Sequence, residues 1–280
     1  MNDNKVNAGG TAFSPMVITD ADFHRMVNFV KSNYGIDLSQ KRQLITGRLS
    51  PVLRKMGYQK FSDFVNHLME KRDDEEITLL LNKLTTNYTF FMREKEHLDL
   101  FRQRIIPELV RRHQRDKVLS IWSAGCSSGE EPYNISMYLF DYLGAQAGEW
   151  DTRILATDIS AKALATARQG TYELPDTIPA EWKRKYFTKN ANGTYTVTPM
   201  VKNNVIFRSF NLMEPINFRR KFDVIFCRNV MIYFDQPTRD ALVQRFYNAT
   251  VPGGYLLISY SENLSPNTPY RKLATATFQK

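Results

Sequence analysis

Two hydrophobic rhythms divide this chain. Up to residue 84 the apolar positions recur every three or four residues, which predicts helices. Phe23, Met26, Val27 and Val30 share a face, Thr19 and Asp20 can cap its start, and Tyr34-Gly35 ends it. Leu44, Ile45, Leu49, Val52 and Leu53 predict a second helix over 39–55, stopped by Gly57. Pro51 falls inside it and is expected to bend the helix or shift its boundary, because proline lacks the backbone donor. Ser62 is expected to cap a third helix (Phe64, Val65, Leu68), and Asp73 or Asp74 a fourth (Ile77, Leu80, Leu81, Leu84). Residues 18–84 therefore read as a small all-helical domain.

Beyond this point the rhythm changes. A helix over about 94–112 precedes VLSIWSA (118–124), a short apolar run followed by small residues, hence a strand. Further strands are read at ILATD (154–158), NVIFRSF (204–210), FDVIFC (222–227) and GYLLISYS (254–261). Helical stretches lie between them, up to Leu143, at 160–168 and at 236–250, the last with Pro237 in its first turn. This alternation predicts an α/β protein with a parallel, doubly wound, Rossmann-like sheet. Residues 172–203 break the alternation; Asn192-Gly193 is a hairpin signal there, and a small antiparallel β-subdomain insertion is expected. Residues 85–98 form a linker, 99–280 the α/β domain, and the polar residues 1–17 a disordered tail without an apolar signal core.

Composition narrows the class. A chain of 280 residues suits one catalytic domain with a smaller companion. No apolar run approaches the roughly 18–20 residues of a membrane span, so direct membrane insertion is not expected. The two cysteines, Cys126 and Cys227, are too few for a disulfide framework or a zinc site, and point to a reducing, cytoplasmic setting with no metal. The net charge of +9 favours an acidic partner, though a basic surface can also simply be solvated. Its placement is more informative: Lys41, Arg42, Arg48, Arg54, Lys55 and Lys60 lie between Leu38 and Lys60 without a single acid. Positions 48 and 55 are two helical turns apart and share a face.

Four segments carry candidate chemistry. WSAGCSSGEEPY (122–133) follows a strand and opens a helix, and its small residues, Ala124 and Gly125 among them, let backbone approach a ligand. Glu130 and Glu131 there would repel phosphate but suit a ligand with an ammonium group, such as the aminoacyl end of S-adenosylmethionine; a glycine-rich turn with acids in the first helical turn is the plainer reading. Asp158, ending ILATD, can accept from both ribose hydroxyls of an adenosine, or merely cap the next helix. FDVIFCRNVMIYF (222–234) ends its strand in Arg228-Asn229 and lacks the Asp/Asn/Ser-Pro-Pro-aromatic tetrad that grips target amines. KLTTNYTFFMRE (83–94) joins the domains and carries Asn87, Thr89 and Arg93; by spacing alone it is a linker with capping residues.

Taken together, TTNYTFFMRE, WSAGCSSGEEPY, ATDIS, CRNVMIYF and SYSEN (259–263) resemble the CheR-type chemotaxis receptor glutamate O-methyltransferases, from about Ile18 to Phe278. The resemblance implies an N-terminal helical receptor-docking domain and a Rossmann-like methyltransferase domain. It implies S-adenosylmethionine as cofactor, with S-adenosylhomocysteine as product. It places cofactor contacts at Asn87, Thr89, Arg93, Ala124, Gly125, the Glu130/Glu131 pair, Asp158, Asn211, Leu212, Arg228 and Asn229. It sets Arg93 and Tyr233 at the transferred methyl and the incoming carboxylate, and makes Lys41, Arg42, Arg48, Arg54 and Lys55 the docking face for the receptor's cytoplasmic helical bundle. The enzyme is expected to act as a monomer and not on nucleic acid.

Two departures stand out: Met92 replaces a usual phenylalanine, and FTKNANGTYTV (187–197) lacks the Gly-rich, arginine-bearing loop with which some relatives bind a receptor pentapeptide, so no tether is expected. A glutamate acceptor is already ionised and needs no general base, so alignment is the protein's task and Arg93 the orienting group. The competing classes are an RNA methyltransferase, suggested by the basic balance, and a non-catalytic cofactor sensor.

Overall fold

The computed structural model describes residues 16–71, 73–85 and 87–280. Most of the expected tail, residues 1–15, lies outside them. Of its last two residues, Met16 is buried and its N–H donates to Ser50 Oγ at 2.9 Å. The chain forms two compact units: one takes in the described residues up to Lys31 together with Leu38–Thr85, the other Ser32–Asp37 and the described residues beyond Thr85.

The first unit is built from helices α1 (Asp20–Tyr34, whose last turn is counted with the second unit), α2 (Arg42–Lys55), α3 (Phe61–Lys71) and α4 (Asp74–Leu84). Their apolar faces meet in a core that includes Met26, Ile45, Leu49, Phe61, Phe64 and Leu80, all fully buried. Thr19 caps α1 as read, accepting from the Asp22 N–H at 3.1 Å, and Asp73 caps α4, accepting from the Glu75 and Glu76 amides. α2 runs through Pro51 to Lys55 without a break; Pro51 sits on the exposed face, where the carbonyl it leaves without a donor can turn to solvent. One expectation needs correcting. Ser62 is not a cap: α3 begins at Phe61, and the Ser62 hydroxyl donates to Asp22 Oδ2 at 2.6 Å. That bond and the Thr19 hydroxyl hold the Asp22 carboxyl below its usual range.

The second unit opens with α5 (Lys95–Leu100), a π-helical turn at Phe101–Ile105 and α6 (Ile106–Arg112). Then follow β1 (Ile121–Ala124), α7 (Glu130–Leu143), β2 (Ile154–Asp158) and α8 (Ala161–Gln169). The insertion comprises β3 (Thr171–Tyr172), α9 (Ala180–Tyr186), β4 (Phe187–Lys189), β5 (Tyr195–Val197) and α10 (Pro199–Lys202). β6 (Val205–Ser209), β7 (Phe222–Cys227), α11 (Gln236–Ala249), β8 (Thr250–Ile258), β9 (Arg271–Ala274) and β10 (Thr277–Gln279) complete it. The main sheet has the order β6-β2-β1-β7-β8-β10-β9. Its first five strands are parallel, as the alternation requires; β10 and β9 add an antiparallel edge that the sequence pattern did not reveal. The separate three-stranded sheet, β3-β5-β4, is antiparallel and turns at Asn192-Gly193 between β4 and β5.

Trp122 anchors the sheet. Its ring is fully buried among Phe210, Phe218, Phe222 and Phe246, with centroids 5.2–5.8 Å away. Its Nε1–H donates to Thr157 Oγ1 at 2.9 Å, so the one polar atom of the ring is satisfied in the core. At the opposite, amino edge, the buried Asp223 carboxylate accepts from the Ser120 N–H at 2.9 Å and pairs with His113 Nε2 at 2.8 Å, tying β1 to β7.

Candidate active site

The strand order reverses between β1 and β7: β2 and β6 extend the sheet on one side of β1, β7 and β8 on the other. In open parallel sheets ligands bind at the carboxyl ends of the strands beside such a switch point. Here those ends carry Ala124-Gly125, Asp158, Arg228-Asn229 and Ser259, and Asn211 follows β6.

Backbone strain marks the same place. Gly125, Gly129, Ser127, Asn229, Met92 and Glu94 all have positive φ, four of them with a side chain. A non-glycine residue held there costs on the order of 1–3 kcal/mol and persists where surrounding contacts over-determine it. Gly125 has φ +84, and a β-carbon on it would lie 2.3 Å from Val230 Cγ2. At Gly129 (φ +96) the added carbon would lie 2.8 Å from Ala167 Cβ. The loop 125–129 thus packs its two glycines tightly against Val230 and Ala167 and forms a cradle running into the N-terminus of α7. Ser127 Oγ donates to Asn87 O at 2.8 Å, and Tyr172 of the small sheet donates to Ser128 O at 2.6 Å.

The charged side chains around this cradle are mainly acids. Asp158 receives the Ser127 N–H on Oδ2 and the Ser160 N–H on Oδ1, both at 2.8 Å. The cap of α8 is Ser160, so Asp158 sits at the strand end without being needed for that helix. Burial nonetheless pushes the Asp158 carboxyl up, against those amide bonds. Glu130, buried at the first position of α7, is likewise pushed up by burial although the Ser128 hydroxyl donates to it at 2.7 Å. Glu131 is already neutralised: Arg228 Nη1 donates to its Oε2 at 3.0 Å and Ser123 Oγ to its Oε1 at 2.8 Å. Arg228 is buried and largely spent on the protein. Its Nη2 donates to Arg93 O at 2.6 Å and to Glu94 Oε2 at 3.1 Å, and its Nε lies 3.4 Å from the same oxygen.

Burial raises Glu94, but the Arg228 charge and the Ser259 hydroxyl, donating at 2.7 Å, outweigh it, and the carboxyl lies below its usual range. Asn229 Nδ2 donates to Ser259 Oγ at 2.6 Å. The buried Glu262 accepts the amides of Ser259, Asn229 and Ile232 at 2.8, 3.2 and 3.1 Å, binding the ends of β7 and β8 together. Cys126, buried in the cradle, has its thiol pushed well up by burial, as has Cys227.

Of the remaining residues singled out by sequence, Thr89 is half-buried on the strap 87–94, and Arg93 is partly exposed, donating from Nη1 to Tyr88 O at 2.8 Å with its guanidinium 5.9 Å from the Phe90 ring. Asn211 is committed locally, with Oδ1 accepting the Met213 N–H at 3.0 Å and Nδ2 donating to Asn33 O at 2.7 Å. Leu212 is buried and gives its carbonyl to Arg245 Nη2 at 2.7 Å. Tyr233 is half-buried in a short helical turn and its carbonyl accepts the Asp37 N–H at 2.8 Å. Sequence reasoning missed Glu94, Ser259 and Glu262 as site residues, although they stand in the segments TTNYTFFMRE and SYSEN. In the first unit Lys41, Arg48, Arg54 and Lys55 are exposed, Arg48 donating to Lys83 O at 3.1 Å. Arg42 is engaged within its unit, pairing with Asp20, donating to Ile18 O at 3.2 Å and lying 4.5 Å over the Phe23 ring.

A glycine cradle at a sheet switch point, bordered by desolvated carboxylates, fits a ligand bearing hydroxyl and ammonium groups and rejects a phosphate. S-adenosylmethionine has that chemistry, with a cationic sulfonium besides. The class is that of S-adenosylmethionine-dependent methyltransferases: residues 87–279 match the model of the CheR methyltransferase SAM-binding domain, and residues 21–85 that of the CheR methyltransferase all-alpha domain. The chain belongs to the CheR methyltransferase family. It is 38% identical over 285 residues to a chemotaxis protein methyltransferase of Borreliella burgdorferi, covering 100% of this chain and 99% of that protein. It is 36% identical to the chemotaxis protein methyltransferase of Escherichia coli, covering 89% and 87% of the two chains. It is 38% identical to chemotaxis protein methyltransferase 2 of Pseudomonas aeruginosa, covering 88% and 87%. Among the described residues, no helix is long and apolar enough to cross a membrane, and no group of three or more His, Cys, Asp or Glu residues could hold a metal.

Proposed function

We propose that this enzyme esterifies glutamate side chains on the cytoplasmic helical bundle of chemotaxis receptors, in the cytoplasm and as a monomer. When bound, the cofactor supplies an electrophilic methyl group on a sulfonium. The observation that carries the reading is Arg93, a partly exposed guanidinium on the strap that crosses an otherwise acidic crevice; among the described residues no carboxylate pairs with it. An acid-lined pocket with one available cation at its border suits a cationic donor and an anionic acceptor. A carboxylate is ionised at neutral pH, so no general base is required. Arg93 orients it, and Tyr233 lends a hydroxyl or a ring wall. Good alignment alone can provide effective molarities of about 10⁵–10⁸ M. Arg93 must hold the acceptor loosely enough not to favour the ground state over the transition state.

Within the crevice, Asp158 takes the ribose hydroxyls. Glu130 takes the ammonium group, since Glu131 is already balanced by Arg228. Asn87, Thr89, Ala124, Gly125, Asn211, Leu212 and Asn229 line it with backbone or short side chains, while Arg228 supports it from beneath. Lys41, Arg48, Arg54 and Lys55, all exposed, form the basic face offered to the acidic receptor helices, with Arg42 beside them engaged by Asp20 and the Phe23 ring.

The β4–β5 turn is the short Asn190–Thr194 loop, which supports action without a pentapeptide tether. Incubation of the full chain with labelled cofactor and a panel of receptor-bearing membranes tests the function. Base-labile label on receptors is expected, and label on total RNA instead would refute it. Calorimetry with a receptor C-terminal pentapeptide is expected to show no heat; micromolar binding would overturn tether independence.

A further inference from the structure

Arg93 stands between two residues in left-handed backbone, Met92 at φ 63 and Glu94 at φ 51, ψ 58. Neither is a glycine, so this bend does not form of its own accord. Met92 is held by burial, with the Tyr138 hydroxyl 3.9 Å from its sulfur. Glu94 precedes α5, the position of a cap, yet its side chain makes no capping hydrogen bond to that helix. It turns instead to the sheet. Oε1 accepts from Ser259 Oγ at 2.7 Å and Oε2 from Arg228 Nη2 at 3.1 Å, while the same Nη2 donates to the Arg93 carbonyl at 2.6 Å. The backbone of Arg93 is therefore pinned from both sides to the ends of β7 and β8, while its partly exposed guanidinium donates from Nη1 to Tyr88 O at 2.8 Å beside the Phe90 ring. A helix start needs none of this.

We propose that Glu94 is a positioning residue for methyl transfer: by bracing Arg228 and Ser259 it fixes the bend at Met92–Glu94, and with it the place of the Arg93 guanidinium. The inference rests on the reading that Arg93 orients the acceptor carboxylate. Glutamate has the reach to bind both partners at once. Glutamine keeps the size and an oxygen for Ser259 but gives up the charge pairing. Arg228 would still have Glu131, so no buried charge is stranded and the unit should fold.

A double-mutant cycle on the full chain tests this, using wild type, Glu94→Gln, Arg93→Ala and the double variant. The readouts are kcat and KM for receptor membranes and calorimetric affinity for S-adenosylhomocysteine. Glu94→Gln is expected to lower kcat about tenfold or more, with KM and product affinity within about threefold, and to cost under about twofold in the Arg93→Ala background, the signature of two residues acting as one. Equal cost in both backgrounds would overturn the proposal while leaving the role of Arg93 intact. Full turnover by Arg93→Ala would overturn both. Should Glu94→Gln fold poorly, Ser259→Ala removes one brace of Glu94 and carries the same cycle, with additivity again as the refuting result.

Discussion

Lowering the pH from 7 to 4 protonates the histidines of the unfolded chain, but His97 in the fold resists. The ring is 1% exposed, stacked on Tyr260 with centroids 5.0 Å apart, and its Nε2 lies 3.0 Å from Thr277 Oγ1. Among the described residues the buried Nδ1 has no hydrogen-bond partner, and it lies 3.9 Å from Glu94 Oε2. Burial, aided by the Arg228 charge and opposed by Glu94, brings the His97 pKa from 6.5 down to about 4. Above 6.5 neither state binds the proton. Between 6.5 and about 4 only the unfolded chain does, so stability falls with the pH. A gap of that size is worth about 3 kcal/mol by pH 4, a large share of the ~5–15 kcal/mol of a typical domain.

Urea unfolding at pH 7, 6, 5 and 4 measures it, followed by tryptophan fluorescence. Trp122, Trp150 and Trp182 all lie in the second unit, so the signal reports on that unit alone. His97→Phe keeps the stack on Tyr260 and loses the Thr277 bond, at a cost of about 1 kcal/mol at pH 7. Carboxylates remote from His97 titrate alike in both proteins and cancel in the difference; Glu94, 3.9 Å from Nδ1, is the one coupled to the ring among the described residues. The deficit of the variant should shrink with falling pH and reverse before pH 4. Parallel curves for the two proteins would refute the reasoning.

Three further outcomes follow from the site and the docking face. Gly125→Ala should weaken S-adenosylhomocysteine binding at least about tenfold by calorimetry, since left-handed backbone costs an alanine about 1–2 kcal/mol and its β-carbon meets Val230; Val230→Ala should restore part of the loss. Asp158→Asn replaces one acceptor oxygen with a donor, facing the amides of Ser127 and Ser160, and should raise the dissociation constant of the same ligand about tenfold or more; unchanged binding would remove Asp158 from the ribose role. Arg54→Glu with Lys55→Glu should raise KM for receptor membranes severalfold and flatten its salt dependence while leaving product affinity unchanged; a KM indifferent to both would sink the docking assignment.

The parallel strands were legible because a strand buried on both faces writes itself as a continuous apolar run, as in the six buried residues of β7. The edge hairpin β9–β10 was not. Arg271–Ala274 is exposed or half-buried, and a strand of four such residues has no pattern to display. Helix starts were readable where a side chain caps, at Thr19 and Asp73, and misread at Ser62, whose hydroxyl is drawn to Asp22 by tertiary packing. The cradle and the position of Asp158 at its strand end could be inferred from composition and position. The bracing of Glu94, Arg228, Ser259 and Glu262 could not, because it joins residues up to 165 positions apart, and local spacing says nothing of such pairings.

Cys126 ends the first strand's turn into the cradle and Cys227 is the last residue of β7, each no more than 1% exposed. Their thiols are shielded and remain protonated, so an alkylating reagent should leave the native enzyme unmarked. Either sulfur can react only when the carboxyl edge of the sheet opens. Pulsed alkylation read by mass spectrometry therefore times the breathing of that edge, with and without nucleoside, using reporters that the chain already contains.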